Sequence, residues 1–273
     1  MELYQAKQIN DHTYIIGEDY GTRANTTMAL VIGKKRAALI DTGAGIADLS
    51  KFVKRFTELP VVVLTTHLHA DHAGGNPFFE EIYVSEEDVF LMPESMGMDF
   101  RMNYIRQCLG EDNPRKAEIE RTVNRILSFP YHPLSDGDQI DLGGVSLKTV
   151  ALPGHTPGSM MFFDETTHTL FSGDAVNTTP WLFLPYSAPL CVYLKNLKRL
   201  RPLFAETEHI YCGHDMNDIG TDVPEALMLA CEDVLNGERG RPVRTFAGEA
   251  YQYRRGKIRL FFRPDNLVSG GRS

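Results

Sequence analysis

The chain has few of the residues that would cross-link it, embed it in a membrane or hold it on a polyanion. Its cysteines, Cys108, Cys191, Cys212 and Cys231, are scattered and form no Cys-x-x-Cys pair, which fits free thiols in a reducing compartment. No apolar run reaches the roughly 20 residues a membrane span needs. The start, Met1-Glu2-Leu3-Tyr4-Gln5, is neither basic nor followed by an apolar core, so no secretory signal is expected and the cytoplasm is the expected location. Positive charge is also short: the net charge is −8. A general nucleic-acid binder needs the opposite sign to displace counterions, so no nucleic-acid partner is expected. The one locally basic stretch, Tyr253 to Arg259, reads as a hairpin turning near Gly256 with its charges in water. No Gly-x-Ser-x-Gly elbow occurs, so a serine nucleophile has no support.

Histidine, by contrast, is concentrated. His67-Leu68-His69-Ala70-Asp71-His72 follows the apolar run Val61 to Leu64. One tetrahedral zinc site needs only four ligands in all, and they seldom come from one loop, so this cluster points to two metals sharing it. Further donors follow the same local pattern of a strand, a small residue and then a ligand. His155 lies in Pro153-Gly154-His155-Thr156 after the alternating stretch Val145 to Val150. Asp174 ends Leu170-Phe171-Ser172-Gly173-Asp174, and His214 ends Ile210-Tyr211-Cys212-Gly213-His214. Glycine lets the chain turn sharply so that each donor can point into a common cleft. Neutral imidazole and carboxylate suit zinc, and imidazole also suits iron.

With these motifs in this order, the chain resembles a metallo-β-lactamase-fold hydrolase over roughly residues 12 to 215, and the glyoxalase-II-like or lactonase-like branch more than the antibiotic-cleaving enzymes. The resemblance implies one metal held by His67, His69 and His155, a second held by Asp71, His72 and His214, and Asp174 bridging the two. It also places Asp41, in Leu39-Ile40-Asp41-Thr42-Gly43, behind the ligands, where a carboxylate would accept the outer ring N–H of a histidine and set its tautomer. Oxygen-reducing diiron relatives carry glutamate where this chain has His69, so the donor set is of the hydrolytic type. The expected cofactor is a pair of divalent ions, zinc first, with manganese or iron as alternatives.

The expected fold is α/β, a single domain over residues 1–273 built as a four-layer αββα sandwich. Strands are expected at 13–16, 27–32 and 37–40, with a turn at Gly33-Lys34-Lys35, and a helix at 46–57 burying Leu49, Phe52, Val53 and Phe56. Residues 85–130 read as a helical insertion. Ser85-Glu86-Glu87-Asp88 resembles a helix-capping signal, Met92, Met96, Met98 and Met102 follow, and 115–127 look helical again. The insertion packs on the core, or it serves as a lid or as a contact between two copies in a homodimer, since methionine-rich surfaces repack readily. Pro180 to Tyr186, with the only tryptophan, follows Asp174 closely, either as core or as a cleft wall that suits a small-molecule substrate with an apolar part. Cys212 reads as a buried structural thiol, and His12, His132, His168 and His209 as non-ligands.

The expected activity is metal-dependent hydrolysis. Two metals lower the pKa of a bridging water, and the resulting hydroxide attacks a carbonyl, with a thioester or lactone preferred from the resemblance. Asp71 is the expected catalytic residue, holding the nucleophile or shuttling its proton. A phosphodiester hydrolase and a mononuclear iron persulfide dioxygenase are the alternatives.

Overall fold

The computed structural model describes residues 2–20, 26–110, 112–126 and 128–268. Residues 111 and 127, inside the expected insertion, lie outside the described residues, as do the chain ends. A seven-stranded sheet runs in order β1 (Tyr4–Asn10), β2 (Thr13–Glu18), β3 (Thr27–Ile32), β4 (Ala37–Ile40), β5 (Val61–Leu64), β6 (Glu81–Val84) and β7 (His132–Pro133). A five-stranded sheet combines β8 (Gln139–Asp141), β9 (Ser146–Ala151), β10 (Met160–Asp164), β11 (Thr169–Gly173) and β13 (His209–Cys212), in the order β13-β11-β10-β9-β8. Short helices α1 (Leu49–Val53), α2 (Ala70–Ala73), α3 (Met92–Ser95), α4 (Met98–Leu109) and α5 (Lys116–Thr122) belong to the first half. The second half carries α6 (Leu190–Arg199), α7 (Arg201–Glu206) and α8 (Val223–Leu235).

The layering follows from side-chain alternation along strands that are buried on both faces. In the first sheet Ile15, Ala29, Val31, Ala38, Ile40, Val62 and Leu64 point to one side, where they meet Leu147, Met160, Phe162 and Phe171 of the second sheet. Their neighbours Ile16, Leu30, Leu39 and Val63 point the other way, onto Leu49, Phe52 and Val53 of α1 and onto Met96, Ile105 and Ile119 of the 85–130 segment. On the far side, Met161, Phe163, Leu170 and Ile210 pack against Tyr193, Leu197, Phe204, Leu227 and Cys231 of α6–α8. Three apolar seams thus separate four layers, the αββα sandwich expected from the sequence. No helix among the described residues is long and apolar enough to cross a membrane.

Several local expectations need adjustment. The helix expected over 46–57 is only the short α1, and 115–127 contributes only α5. Ser85 does precede a helical turn, but its side chain makes no cap bond. Asp88, three residues on, turns away from the helix end to serve a distant loop, as described below. A third sheet, not anticipated as such, joins β12 (Trp181–Leu182) to β16 (Ile258–Phe262), β15 (Gly248–Arg255) and β14 (Arg241–Thr245). Its β15–β16 turn lies at Gly256, where the hairpin was expected.

The two large sheets are also tied at a corner by their turns. Lys34 N donates to Gly143 O at 2.8 Å and Lys35 N to Leu142 O at 2.9 Å. Gly33 sits so close that an added Cβ would lie 2.0 Å from the Leu142 carbonyl oxygen. Gly33→Ala should therefore force two backbones apart and lower stability by about 1–3 kcal/mol. Urea unfolding checks this, with a midpoint matching wild type as the contrary result.

Candidate metal centre

Parallel pairing places the donors at one edge. Strands β4 and β5 are parallel, as are β11 and β13, and β9 shares the direction of β11 because both are antiparallel to β10. The segments leaving β4, β5, β9, β11 and β13 therefore emerge together. They carry Asp41, the His67–His72 loop, His155, Asp174 and His214. Cross-sheet bonds lock the mouth: Met160 N donates to Thr66 O and Thr27 N to Gly213 O, each at 2.8 Å. Gly213 is required by crowding, since a Cβ there would lie 2.4 Å from His72 Cε1 and 2.9 Å from Asp174 Oδ1.

All seven donors singled out in the sequence meet in this cleft. His67 Nε2 and His155 Nε2 lie 3.0 Å and 2.9 Å from His69 Nδ1. Four-coordinate zinc with bonds near 2.0–2.1 Å spaces its nitrogens by roughly 3.3 Å, so the cluster has the size of one ion. Its protons do not suit a hydrogen-bonded trio. His155 Nδ1 must donate to the Trp181 carbonyl, 2.7 Å away. His67 Nδ1 meets Thr66 Oγ1 at 3.0 Å, and that hydroxyl already donates to Asp41, so it accepts from the ring. His69 Nε2 meets the Tyr186 hydroxyl at 2.6 Å. At most one ring hydrogen is then left for three inward nitrogens, and a cation satisfies all three lone pairs.

A second set of donors, Asp71, His72 and His214, adjoins the first, with ligand atoms within 4.8 Å of one another. Asp71 Oδ2 is 3.9 Å from His72 Nε2 and 3.8 Å from His214 Nε2. His72 Nδ1 donates to Asp41 Oδ2 at 2.7 Å, leaving a fully buried Nε2 with no hydrogen-bond partner among the described residues. Such an unpartnered buried ring nitrogen is costly unless an ion takes it. Asp174 Oδ2 stands between the sets, 3.2 Å from His214 Nε2, 3.6 Å from His155 Nε2 and 3.9 Å from His72 Nε2. The residues present fit two cations that share Asp174.

The electrostatics agree with that donor set. Burial and neighbouring imidazoles pull His67 well below the usual histidine range and His69 down to about 3, so both are neutral, ligand-ready rings. Burial also opposes protonation of His72, but Asp41, Asp71 and Asp174 outweigh it and push that ring up to about 9. Burial works against ionisation of Asp71 and Asp174, yet the surrounding histidines hold both carboxyls below their ordinary value. The carboxylates thus favour an extra positive charge beside the neutral rings of His67 and His69, a charge carried by the proton on His72 that a divalent cation would replace.

Asp41 is the organiser. It adopts φ 61°, a left-handed conformation that aspartate tolerates better than most side chains. From there Oδ2 serves His72 and Thr66 Oγ1, and Oδ1 accepts from Thr66 N at 2.7 Å. The 85–130 segment reaches the same loop, a link that residue types alone did not signal. Tyr104 donates to Asp71 Oδ2 at 2.9 Å. Asp88 accepts from Leu68 N, Thr156 Oγ1 and Gly158 N, joining the His67–His72 and His155 loops, and Ser95 donates to the Leu68 carbonyl. Buried Arg101 donates to Ala44 O and Gly74 O on either side of the Asp41 turn and α2. The histidines set aside earlier lie elsewhere. His12 pairs with Asp164 and His209 with Asp218, while His132 packs on Tyr83. His168 occupies the exposed β10–β11 turn, and Cys212 is buried as a free thiol.

Asp41→Asn keeps a side chain suited to the left-handed turn but places an amide where His72 needs an acceptor. Metal affinity should fall by about 10–100-fold while the fold persists, measured by competition with a chromogenic chelator. An unchanged affinity would remove Asp41 from this role. Asp174→Ala should cost most of the bound metal without unfolding the chain, whereas His168→Ala should leave metal content at the wild-type level. Elemental analysis with circular dichroism distinguishes these outcomes.

Comparison with known proteins matches this geometry. The family model described as "Metallo-beta-lactamase superfamily" matches residues 21–214. Human acyl-coenzyme A thioesterase MBLAC2 is 28% identical over 241 residues, covering 81% of this chain and 84% of that protein. Hydroxyacylglutathione hydrolase of Methylobacillus flagellatus is 29% identical, covering 67% of this chain and 59% of that protein. Among solved structures, a metallo-beta-lactamase from Pontibacter korlensis superposes with TM-score 0.61 at 19% identity, over 84% of this chain and 99% of that one. The family match runs through every donor of the cleft, from Asp41 to His214, and the chain belongs to the metallo-beta-lactamase superfamily.

Proposed function

We propose that this protein is a binuclear metal-dependent hydrolase of carbonyl substrates, thioesters or lactones, with Asp174 shared between two divalent ions, zinc first. The observation that carries the reading is the pair of adjoining donor sets centred on Asp174 Oδ2, opening beside aromatic side chains. The two relatives named above, one named a thioesterase and the other a hydroxyacylglutathione hydrolase, support the choice of a thioester. A mononuclear iron dioxygenase would not use a second set as fully furnished as Asp71, His72 and His214.

Two ions held by these residues would acidify water to near-neutral pKa and polarise a carbonyl oxygen. The chain's own groups do the rest. His67, His69 and His155 would hold one ion, and Asp71, His72 and His214 the other. Asp71, kept ionised by the surrounding histidines and oriented by Tyr104, would hold a water proton and could pass it on. Tyr186 bonds His69 through its hydroxyl and sets its ring beside that histidine, while Trp181 fixes His155 through its backbone carbonyl and packs its ring on Phe246. Leu182, Phe183 and Leu184 of the same segment are buried in the core, so the run from Pro180 to Tyr186 is both core and wall. The four cysteines are unpaired, which suits the reducing cytoplasm.

An apolar rim and a net charge of −8 favour an acyl group over a phosphodiester. At matched metal loading, kcat/KM for thioesters or lactones should exceed that for bis-nitrophenyl phosphate by at least tenfold, with β-lactams included in the same panel. Faster turnover of the phosphodiester would reverse the assignment.

A further inference from the structure

The β14–β15 hairpin closes with a two-residue loop, Phe246-Ala247, between the paired residues Thr245 and Gly248. Such tight loops favour Asn, Asp and Gly, yet this one carries a phenylalanine that is 50% exposed. The loop is braced internally. Thr245 Oγ1 accepts from Ala247 N at 3.1 Å and donates to Gly248 O at 2.9 Å. The ring is therefore presented on a braced support, half exposed and half packed on two other rings. Its centroid lies 5.2 Å from Trp181 and 5.8 Å from Tyr104.

Those two contacts connect the tip to both donor sets. The Trp181 carbonyl orients His155, and the Tyr104 hydroxyl bonds Asp71. Phe246 thus joins an aromatic surface that begins at one set and ends at the other. Phe90, the other large exposed ring near the cleft, packs on Tyr186 and so reaches only the His69 side. The C-terminal sheet holds the hairpin in place, since Phe261 and Phe183 back Trp181 from beneath.

We propose that Phe246 is a specificity-determining residue: with Trp181 and Tyr104 it forms the wall that receives a linear acyl chain whose carbonyl lies at the donor cluster. This rests on the carbonyl-hydrolase reading. The occupant is an acyl chain because the three packed rings supply apolar surface that reaches one donor set through Trp181 and the other through Tyr104. Phe246 adds ring area far along the wall, so its contribution grows with chain length.

The experiment uses the metal-loaded protein and compares wild type with Phe246→Ala and Phe246→Tyr. Trp181 is the only tryptophan, so its fluorescence reports the wall directly. Dodecanoate should shift Trp181 emission in wild type with an apparent Kd at least tenfold below that of acetate, and Phe246→Ala should erase most of that difference. In turnover, Phe246→Ala should lower kcat/KM on a dodecanoyl thioester at least fivefold more than on an acetyl thioester, mainly through KM. Phe246→Tyr, which keeps the ring, should restore the chain-length preference. Equal losses on both thioesters, or dodecanoate binding unchanged in Phe246→Ala, would overturn the assignment. Absence of thioester and lactone turnover in wild type would instead overturn the hydrolase reading, with the fluorescence titration still deciding whether Phe246 contacts an acyl chain.

Discussion

Lone pairs pointed at a common centre repel, and this protein spends much of its loop structure forcing that arrangement. His67, His69 and His155 turn their inward nitrogens to within about one hydrogen-bond length of each other, while their outer nitrogens are bonded to Thr66, Tyr186 and the Trp181 carbonyl. His72 has its outer nitrogen fixed by Asp41 and its inner one buried with no hydrogen-bond partner among the described residues. Neutral rings held in one tautomer make strong ligands but a poor hydrogen-bonded core. The loops are shaped for cations, and the rest of the molecule is arranged to keep them so.

That requirement explains why the insertion is built into the site region. Its buried Arg101 lies under the Asp41 turn and donates to the backbone carbonyls of Asn124, Ala44 and Gly74. Glu18, buried nearby and pushed by that burial up to about 7, accepts from Ala44 N and from Tyr20. Asp88 clamps two ligand-bearing loops to each other, and burial raises its carboxyl even against its three hydrogen bonds. Of the readings the sequence leaves open for this segment, packing on the core is the one the structure shows, and the segment serves there as scaffolding. A role as lid or dimer contact remains a proposal compatible with its exposed Phe90 and Phe100.

The aromatic rim has a similar double character. Tyr186 and Tyr104 hold His69 and Asp71 through their hydroxyls, and Trp181 holds His155 through its backbone carbonyl, while the ring of Tyr186 packs on His69 and those of Tyr104 and Trp181 pack on Phe246. Placing the polar grip and the aromatic packing in the same residues means that substrate contacts and ligand geometry are not independent. Changes at the rim should be read with metal content measured in parallel.

Much of this was legible in the chain because the signals are local. Apolar runs and alternation marked β2–β4 and the strands that deliver the donors, since pleating imposes a two-residue period whatever the tertiary context. The histidine-rich run marked His67, His69, Asp71 and His72, and the repeated pattern of strand, small residue and donor marked His155, Asp174 and His214, which the cleft brings together with them. What the sequence could not decide depends on long-range closure. Tyr104 meets Asp71 across 33 positions and Asp88 meets Gly158 across 70, and β12 finds its partner in β16 near the other end of the chain. A capping pattern at Ser85 predicts a local bond for Asp88, but a buried carboxylate goes to the donors that desolvation leaves most in need of it. Residue type and spacing determined which atoms could bind a metal; only the packing of two sheets, an insertion and a C-terminal hairpin decided which of their lone pairs face one another and which rings stand over them.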